Sequence, residues 1–163
     1  MAIDSVRLYV HRPFFCIHRY YFFIYLSLLV ICQDNHNNHT MKLRAIAIDD
    51  DPTSILMVQK LASKIDDLEL VNTYESPIEG AAGIILDRPD ILFLDIEMPE
   101  FNGIDIMSTL VKPPKIIVIS GNPLFQSKAL ELDAVAFISK PPQEEEFNTA
   151  VNKVRAHLLE VEA

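Results

Sequence analysis

Asp49, Asp50, Asp95, Ser120 and Lys140 each stand just after a short apolar run, and together they could do chemistry. The runs are LRAIAI (Leu43–Ile48), ILFL (Ile91–Leu94), KIIVI (Lys115–Ile119) and AVAFI (Ala134–Ile138). Such runs predict strands covered on both faces in a parallel sheet. Open sheets of this kind place ligands outside the carboxyl ends of their strands. Three carboxylates at one rim repel one another unless a cation lies between them, and hard oxygen ligands with room for water suit Mg²⁺. A carboxylate neutralised in this way can attack a phosphoryl group. The transfer then needs positioning and charge stabilisation more than acid–base work. Lys140 and the Ser120 hydroxyl would supply a cation and a donor for the phosphoryl oxygens. Taken singly, each residue has a plainer reading: Asp49–Asp51 before Pro52 as an N-cap cluster, Ser120 as a cap, Lys140 as a solvated side chain. Their shared position at strand ends outweighs that.

The elements between the runs are predicted as helices. Pro52 suits the first position of a helix, and Ile55, Val58, Leu61, Ala62 and Ile65 follow at helical spacing, giving one buried face. Leu68–Thr73 reads as the second strand, and Ser76-Pro77 opens a helix ending near Asp87. Arg88-Pro89-Asp90 is a turn. Asn102-Gly103, expected to supply a residue tolerant of positive φ, leads into a short helix to Leu110. Pro113-Pro114 break the chain. Asn122 caps a helix that starts at Pro123 and runs to about Leu132. In the last helix Phe147, Val151, Val154, Leu158 and Val161 form the apolar stripe. Glu144, Glu145 and Glu146 stand at its start and Lys153, Arg155 and His157 near its end, as the helix dipole favours. Five strands alternating with five helices predict an α/β fold, a doubly wound five-stranded parallel sheet of order 2-1-3-4-5, with the site at the reversal between strands one and three.

Composition divides the chain. Residues 1–40 hold eight of the fourteen aromatics, both cysteines and four of the five histidines. Residues 41–163 carry eleven Lys and Arg against twenty-one Asp and Glu, a formal charge of −10. That charge repels nucleic acid, and no basic patch overrides it. The absence of cysteine from this part removes thiol chemistry. Tyr20–Cys32 is an uncharged apolar run of thirteen residues, short for a membrane span. Arg7, Arg12 and Arg19 on its N-terminal side would send the acidic part outward. Residues 1–40 are therefore expected to be a non-domain segment, upstream translation or disordered, with Met41 as the true start; an anchor is the alternative.

The stretches DDDP (Asp49–Pro52), PDILFLDIEMPEFNGID (Pro89–Asp105), IIVISG (Ile116–Gly121) and AVAFISKP (Ala134–Pro141) resemble the receiver domain of two-component response regulators, over essentially all of residues 41–163. The wording LDIEMP and the spacing of ALELDAVAFISKP most resemble receivers of the LytTR class. The resemblance implies a flavodoxin-like (CheY-like) fold. It implies that Asp95 is a phosphoacceptor for a histidine kinase or histidine phosphotransfer protein. It also implies that Asp49 and Asp50 are the acidic pair, and that Asp50, Asp95 and the main-chain carbonyl of Glu97 hold Mg²⁺. Ser120 takes the hydroxyl position, Lys140 the lysine whose bond to Pro141 is usually cis, and Phe137 the aromatic switch. Gly121 stands where alanine is more usual, and Glu97 is expected to alter the lifetime of the phosphoryl group.

LytTR-class regulators carry a DNA-binding domain after the receiver, whereas this sequence closes with the fifth helix. The expectation is a single-domain cytoplasmic regulator without nucleic-acid or membrane contacts. Its output would be a protein contact, a homodimer being one form, around Phe125, Leu132, Phe137 and the last helix. Two other readings compete. A receiver fold used only for binding would usually have lost one of the aspartates, the hydroxyl or the lysine. A Mg²⁺-dependent phosphatase of the haloacid dehalogenase class would match Asp95-Ile96-Glu97, but it wants its nucleophile on the first strand and a cap domain.

Overall fold

The computed structural model describes residues 42–99 and 101–161. The expectations for residues 1–40, including the Tyr20–Cys32 run, lie outside the described residues. Among those described, no helix is long and apolar enough to cross a membrane.

Five parallel strands form one sheet in the order β2-β1-β3-β4-β5. They are β1 (Leu43–Ile48), β2 (Leu68–Tyr74), β3 (Ile91–Leu94), β4 (Lys115–Ser120) and β5 (Ala136–Ser139). The helices are α1 (Pro52–Ala62), α2 (Pro77–Asp87), α3 (Gly103–Thr109), α4 (Gln126–Glu131) and α5 (Glu144–Val161). Alternate strand residues feed two cores, which is why the strand sequences are apolar without a break. Ala45, Ala47, Ile91, Phe93, Ile117 and Ile119 pack beneath α1 and α5. Ile46, Ile48, Leu92, Leu94, Ile116 and Val118 pack beneath α2, α3 and α4. In the first core Phe93 stacks on Phe147 of α5, centroids 4.8 Å apart and planes 17° from parallel. Such a pair contributes about 1 kcal/mol beyond the area it buries.

Several local expectations are corrected. The fifth strand begins at Ala136 rather than Ala134. Asp133 takes φ 62° and the Ala134 amide donates back to the Ala129 carbonyl, so those residues finish the helix turn instead of joining the sheet. The helix expected from Pro123 opens as a 3-10 turn over Pro123–Phe125, capped by Asn122, before α4. No glycine has positive φ; Asn102 is an extended N-cap whose side chain accepts from the Asp105 amide. Glycine is needed at 103 for room: a Cβ there would stand 2.2 Å from the Asp95 carbonyl oxygen.

The last helix runs on to Val161, so no basic residue occupies its final turn. Arg155 is instead held sideways by Asp67, in the α1–β2 connection. Its Nε donates to Asp67 Oδ2 at 3.0 Å, and Nη2 reaches Oδ1 to complete a two-pronged pair. Arg155→Ala is expected to cost about 1 kcal/mol, and Asp67→Ala added to it almost nothing more. Thermal melts of the two single variants and the double variant measure this; additive losses would contradict the pairing.

Candidate functional site

The sheet register sets the site. Ile48 pairs with Leu94 and Leu94 with Val118, so Asp49 and Asp95 emerge side by side at the carboxyl rim. The Asp95 amide donates to the Ile48 carbonyl at 2.9 Å, tying the third strand's end to the first. On the other side, the Lys140 amide donates to the Ser120 carbonyl at 3.0 Å. That bond places Lys140 just beyond β5, and its bond to Pro141 is cis.

Asp49, Asp95 and Ser120 are buried, Lys140 is half-buried and Asp50 is exposed. Carboxylate oxygens of Asp49, Asp50 and Asp95 lie within 4.8 Å of one another. Lys140 Nζ is 2.8 Å from Asp49 Oδ2 and 3.2 Å from Asp95 Oδ1. Lys140 is thus the sole cation facing the buried Asp95 oxygen, which has no other donor among the described residues. Burial pushes the Asp95 carboxyl above its ordinary range; Lys140 opposes that and the Asp49 charge adds to it. Burial works to lower the Lys140 ammonium, but its hydrogen bond to Asp49 and the charges of Asp95 and Asp49 outweigh this and raise it. One cation thus serves two buried carboxylates, and a third carboxylate adds further negative charge.

The donor set fits a hard divalent cation. Asp49 already spends Oδ1 on the Asp51 amide at 3.0 Å and Oδ2 on Lys140. Asp95 Oδ1 likewise faces Lys140, so Asp50 is the acid of the three that does not face that cation, and all three can still each offer an oxygen to a metal ion. The loop after Asp95 is folded tightly on the Ile96 carbonyl, which accepts from the Met98 amide at 3.1 Å and from Gly103 at 3.0 Å. Among the described residues no donor reaches the Glu97 carbonyl, so it too is available as an oxygen ligand.

Not every residue singled out in the sequence joins this cluster. The Ser120 hydroxyl accepts from the Asn122 amide at 3.2 Å. Phe137 lies on the edge strand, level with Val118, half-buried against the core under α3 and α4. The Glu97 side chain is exposed, with Asn122 Nδ2 3.5 Å from its Oε1, at the outer limit of a hydrogen bond. Asn122 therefore touches both Ser120 and Glu97, while its own Oδ1 accepts from the Leu124 amide. From the sequence Asn122 reads as a helix cap alone; its place two residues after Ser120, before a proline, is the available signal. Asp51 is a cap as well: it accepts from the Thr53 amide and from Ser54 Oγ, bonds that hold its carboxyl below the ordinary range.

Comparison with known proteins agrees with this architecture. The family model of the response regulator receiver domain matches residues 45–152. The transcriptional regulatory protein LytR of Staphylococcus aureus is 32% identical over 117 residues, covering 70% of this chain and 48% of that protein. Protein-glutamate methylesterase/protein-glutamine glutaminase 3 of Burkholderia thailandensis is 33% identical over 105 residues, covering 61% of this chain and 29% of that one. The chain thus spans about half the length of the LytR proteins it matches. The REC domain of AraT, a response regulator from Geobacillus stearothermophilus, superposes with a TM-score of 0.65 at 23% identity, covering 75% of this chain and 99% of that one. The response regulator domain of Thermotoga maritima CheB gives 0.61 at 25% identity, covering 70% and 94%. A parallel sheet of order 2-1-3-4-5, acids at the ends of its first and third strands, and a family match running from within the first strand into the last helix place this chain in the response regulator receiver domain family.

Proposed function

We propose that Asp95 accepts a phosphoryl group from a histidine kinase or histidine phosphotransfer protein, and that the receiver domain, residues 41–163, signals through the resulting change of its surface. The observation that carries this reading is the Asp95 carboxylate, buried at the rim and faced by Lys140, beside Asp49 and Asp50. A bond forms between an Asp95 oxygen and phosphorus while the bond from phosphorus to the donor's imidazole nitrogen breaks, and that nitrogen keeps the electron pair. Asp50, Asp95 and the Glu97 carbonyl would hold Mg²⁺, which when bound offsets the charge of the carboxylates and of the phosphoryl oxygens. Lys140 would transfer its ion pair from Asp95 to a phosphoryl oxygen. Ser120 accepts a hydrogen bond through Oγ, so its own O–H remains available to donate. A shift of that hydroxyl toward Asp95 would open space for Phe137 to turn inward. The partner-binding surface would then change around Phe125, Leu132, Phe137 and α5. A domain of this kind would work in the cytoplasm, where it meets its phosphodonor.

Intact mass after incubation with acetyl phosphate tests the reading. One phosphoryl adduct is expected with Mg²⁺ and none with a chelator. No adduct, together with no response to beryllofluoride, would contradict it and favour a receiver fold used only for binding.

Glu97 yields a second prediction. Its exposed carboxylate stands at the rim next to Asn122, where it can accept a proton from a water attacking the phosphoryl group. Glu97→Ala is expected to lengthen the phosphoryl lifetime severalfold, read as decay of the adduct after the donor is removed. Unchanged or faster decay would contradict that role.

A further inference from the structure

α2 is apolar on both sides, which a helix lying on a sheet does not require. Its inner face is fixed by close packing: a Cβ at Gly80 would strike the Ile48 side chain and one at Gly83 the Tyr74 ring. Its outer face carries Ile78, Ala82 and Ile85 at helical spacing, with Leu86 beside them. Ile78 is 63% exposed, Ile85 72% and Leu86 79%, so the large side chains of this stripe face solvent. At the C-terminal end the stripe runs into a shallow groove lined by Ile84, Ile85, Arg88, Pro89, Leu110 and Val111. Val111 there is 94% exposed. A contiguous patch of this kind marks an interaction surface.

The charges at its ends select the occupant. Glu75 and Glu79 flank the N-terminal end of the stripe, and Arg88, with Lys112 in the groove, the C-terminal end, all exposed; Asp87, also at that end, accepts from the Tyr74 hydroxyl. Neither Glu79 nor Arg88 has an ion-pair partner among the described residues. The patch is therefore complementary to itself reversed. We propose that two copies of this chain associate through α2, packed antiparallel about Ala82. The small Ala82 at the crossing lets the helix backbones approach closely. Ile78 of the second copy then enters the groove beside Ile85. Glu75 and Glu79 of each copy stand opposite Arg88 of the other, in the twofold arrangement usual for homodimers. For a domain of formal charge −10, this is a surface on which the acids of one copy meet basic residues, Arg88 and Lys112, of the other. One helix face per copy is a small interface, so the dimer is weak and concentration-dependent. α2 packs over β1 and β2, so this contact leaves the β4–β5 face free for a partner.

Sedimentation velocity of the full chain across a concentration series tests the proposal. Reversible dimerisation is expected, with Ile85→Glu raising the dissociation constant about tenfold or more by burying an unpaired charge. Arg88→Glu should weaken the dimer, and Glu79→Arg added to it should restore it. In a background with Cys16 and Cys32 changed to serine, Ala82→Cys should oxidise to a disulfide-linked dimer, while the exposed Ala156→Cys on α5 should not. A wild type that stays monomeric overturns the proposal. So does a dimer indifferent to Ile85→Glu, or Ala82→Cys cross-linking no better than Ala156→Cys. Circular dichroism of each variant shows that the fold is retained.

Discussion

Asp95→Asn is expected to abolish phosphoryl uptake from acetyl phosphate and, in chelator, to raise the melting temperature near neutral pH. The first effect follows from losing the nucleophile: a neutral amide neither attacks phosphorus nor holds a divalent cation with comparable strength. The second follows from the upward shift of the Asp95 carboxyl, whose first cause is burial. A carboxyl raised on folding binds more protons in the native state than in the unfolded chain. Its stability contribution is therefore present at low pH and is lost as pH rises through the folded value, starting from the ordinary 3.8. Near neutrality the wild type bears that loss, and asparagine does not. Mg²⁺ should reverse the order by binding the native wild type more tightly than the variant. Thermal melts of both proteins, in chelator and in Mg²⁺, measure this. A chelator melting temperature for Asp95→Asn below that of the wild type would contradict the electrostatic account of the site.

Gly103→Ala is expected to be the most damaging small substitution near the site. The added Cβ would stand 2.2 Å from the Asp95 carbonyl oxygen and 3.0 Å from the Ile96 Cα. Both neighbours are main chain and cannot rotate away. Either α3 moves off the sheet or the end of β3 moves, and the Gly103 amide loses its bond to the Ile96 carbonyl. Overpacking of this kind costs about 3 kcal/mol, roughly 10 °C in melting temperature for a domain of this size. The same displacement should misplace the Asp95 carboxylate and the Glu97 carbonyl, so phosphorylation should slow even below the melting transition. A variant with the melting temperature and phosphorylation rate of the wild type would show that α3 is not seated as described.

The fold was legible in the sequence wherever one residue's surroundings sufficed to define it. β1 was bounded correctly because its apolar run stops at a carboxylate, and α2 because Ser76-Pro77 starts it with a cap and a fixed φ. Alternation implied a doubly wound parallel sheet, and the order expected of it, 2-1-3-4-5, is the order found. The errors came where distant groups decide. Asn102-Gly103 looked like a turn signal, but the glycine answers to the Asp95 carbonyl, which no local pattern reveals. Arg155 looked like a helix-end cation, but it answers to Asp67 in the α1–β2 connection, which only the fold brings close. The start of β5 differs because Ala134 and Val135 are as apolar as the strand itself, and what holds Ala134 out of it is the bond of its amide back to the Ala129 carbonyl, after the left-handed Asp133. At the site the residue types were legible and their division of labour was not. That Lys140 faces both Asp49 and Asp95, and that the Asp51 amide donates to Asp49, needs the distances.

Reductive trapping of the phosphorylated protein tests the central claim most directly. Borohydride converts an aspartyl phosphate to homoserine, and peptide sequencing by mass spectrometry then reads its position. After acetyl phosphate and Mg²⁺, homoserine is expected at position 95 and at no other aspartate. Homoserine at Asp49 or Asp50, or none at any aspartate while the intact protein carries a phosphoryl group, would contradict the assignment of Asp95 as the acceptor.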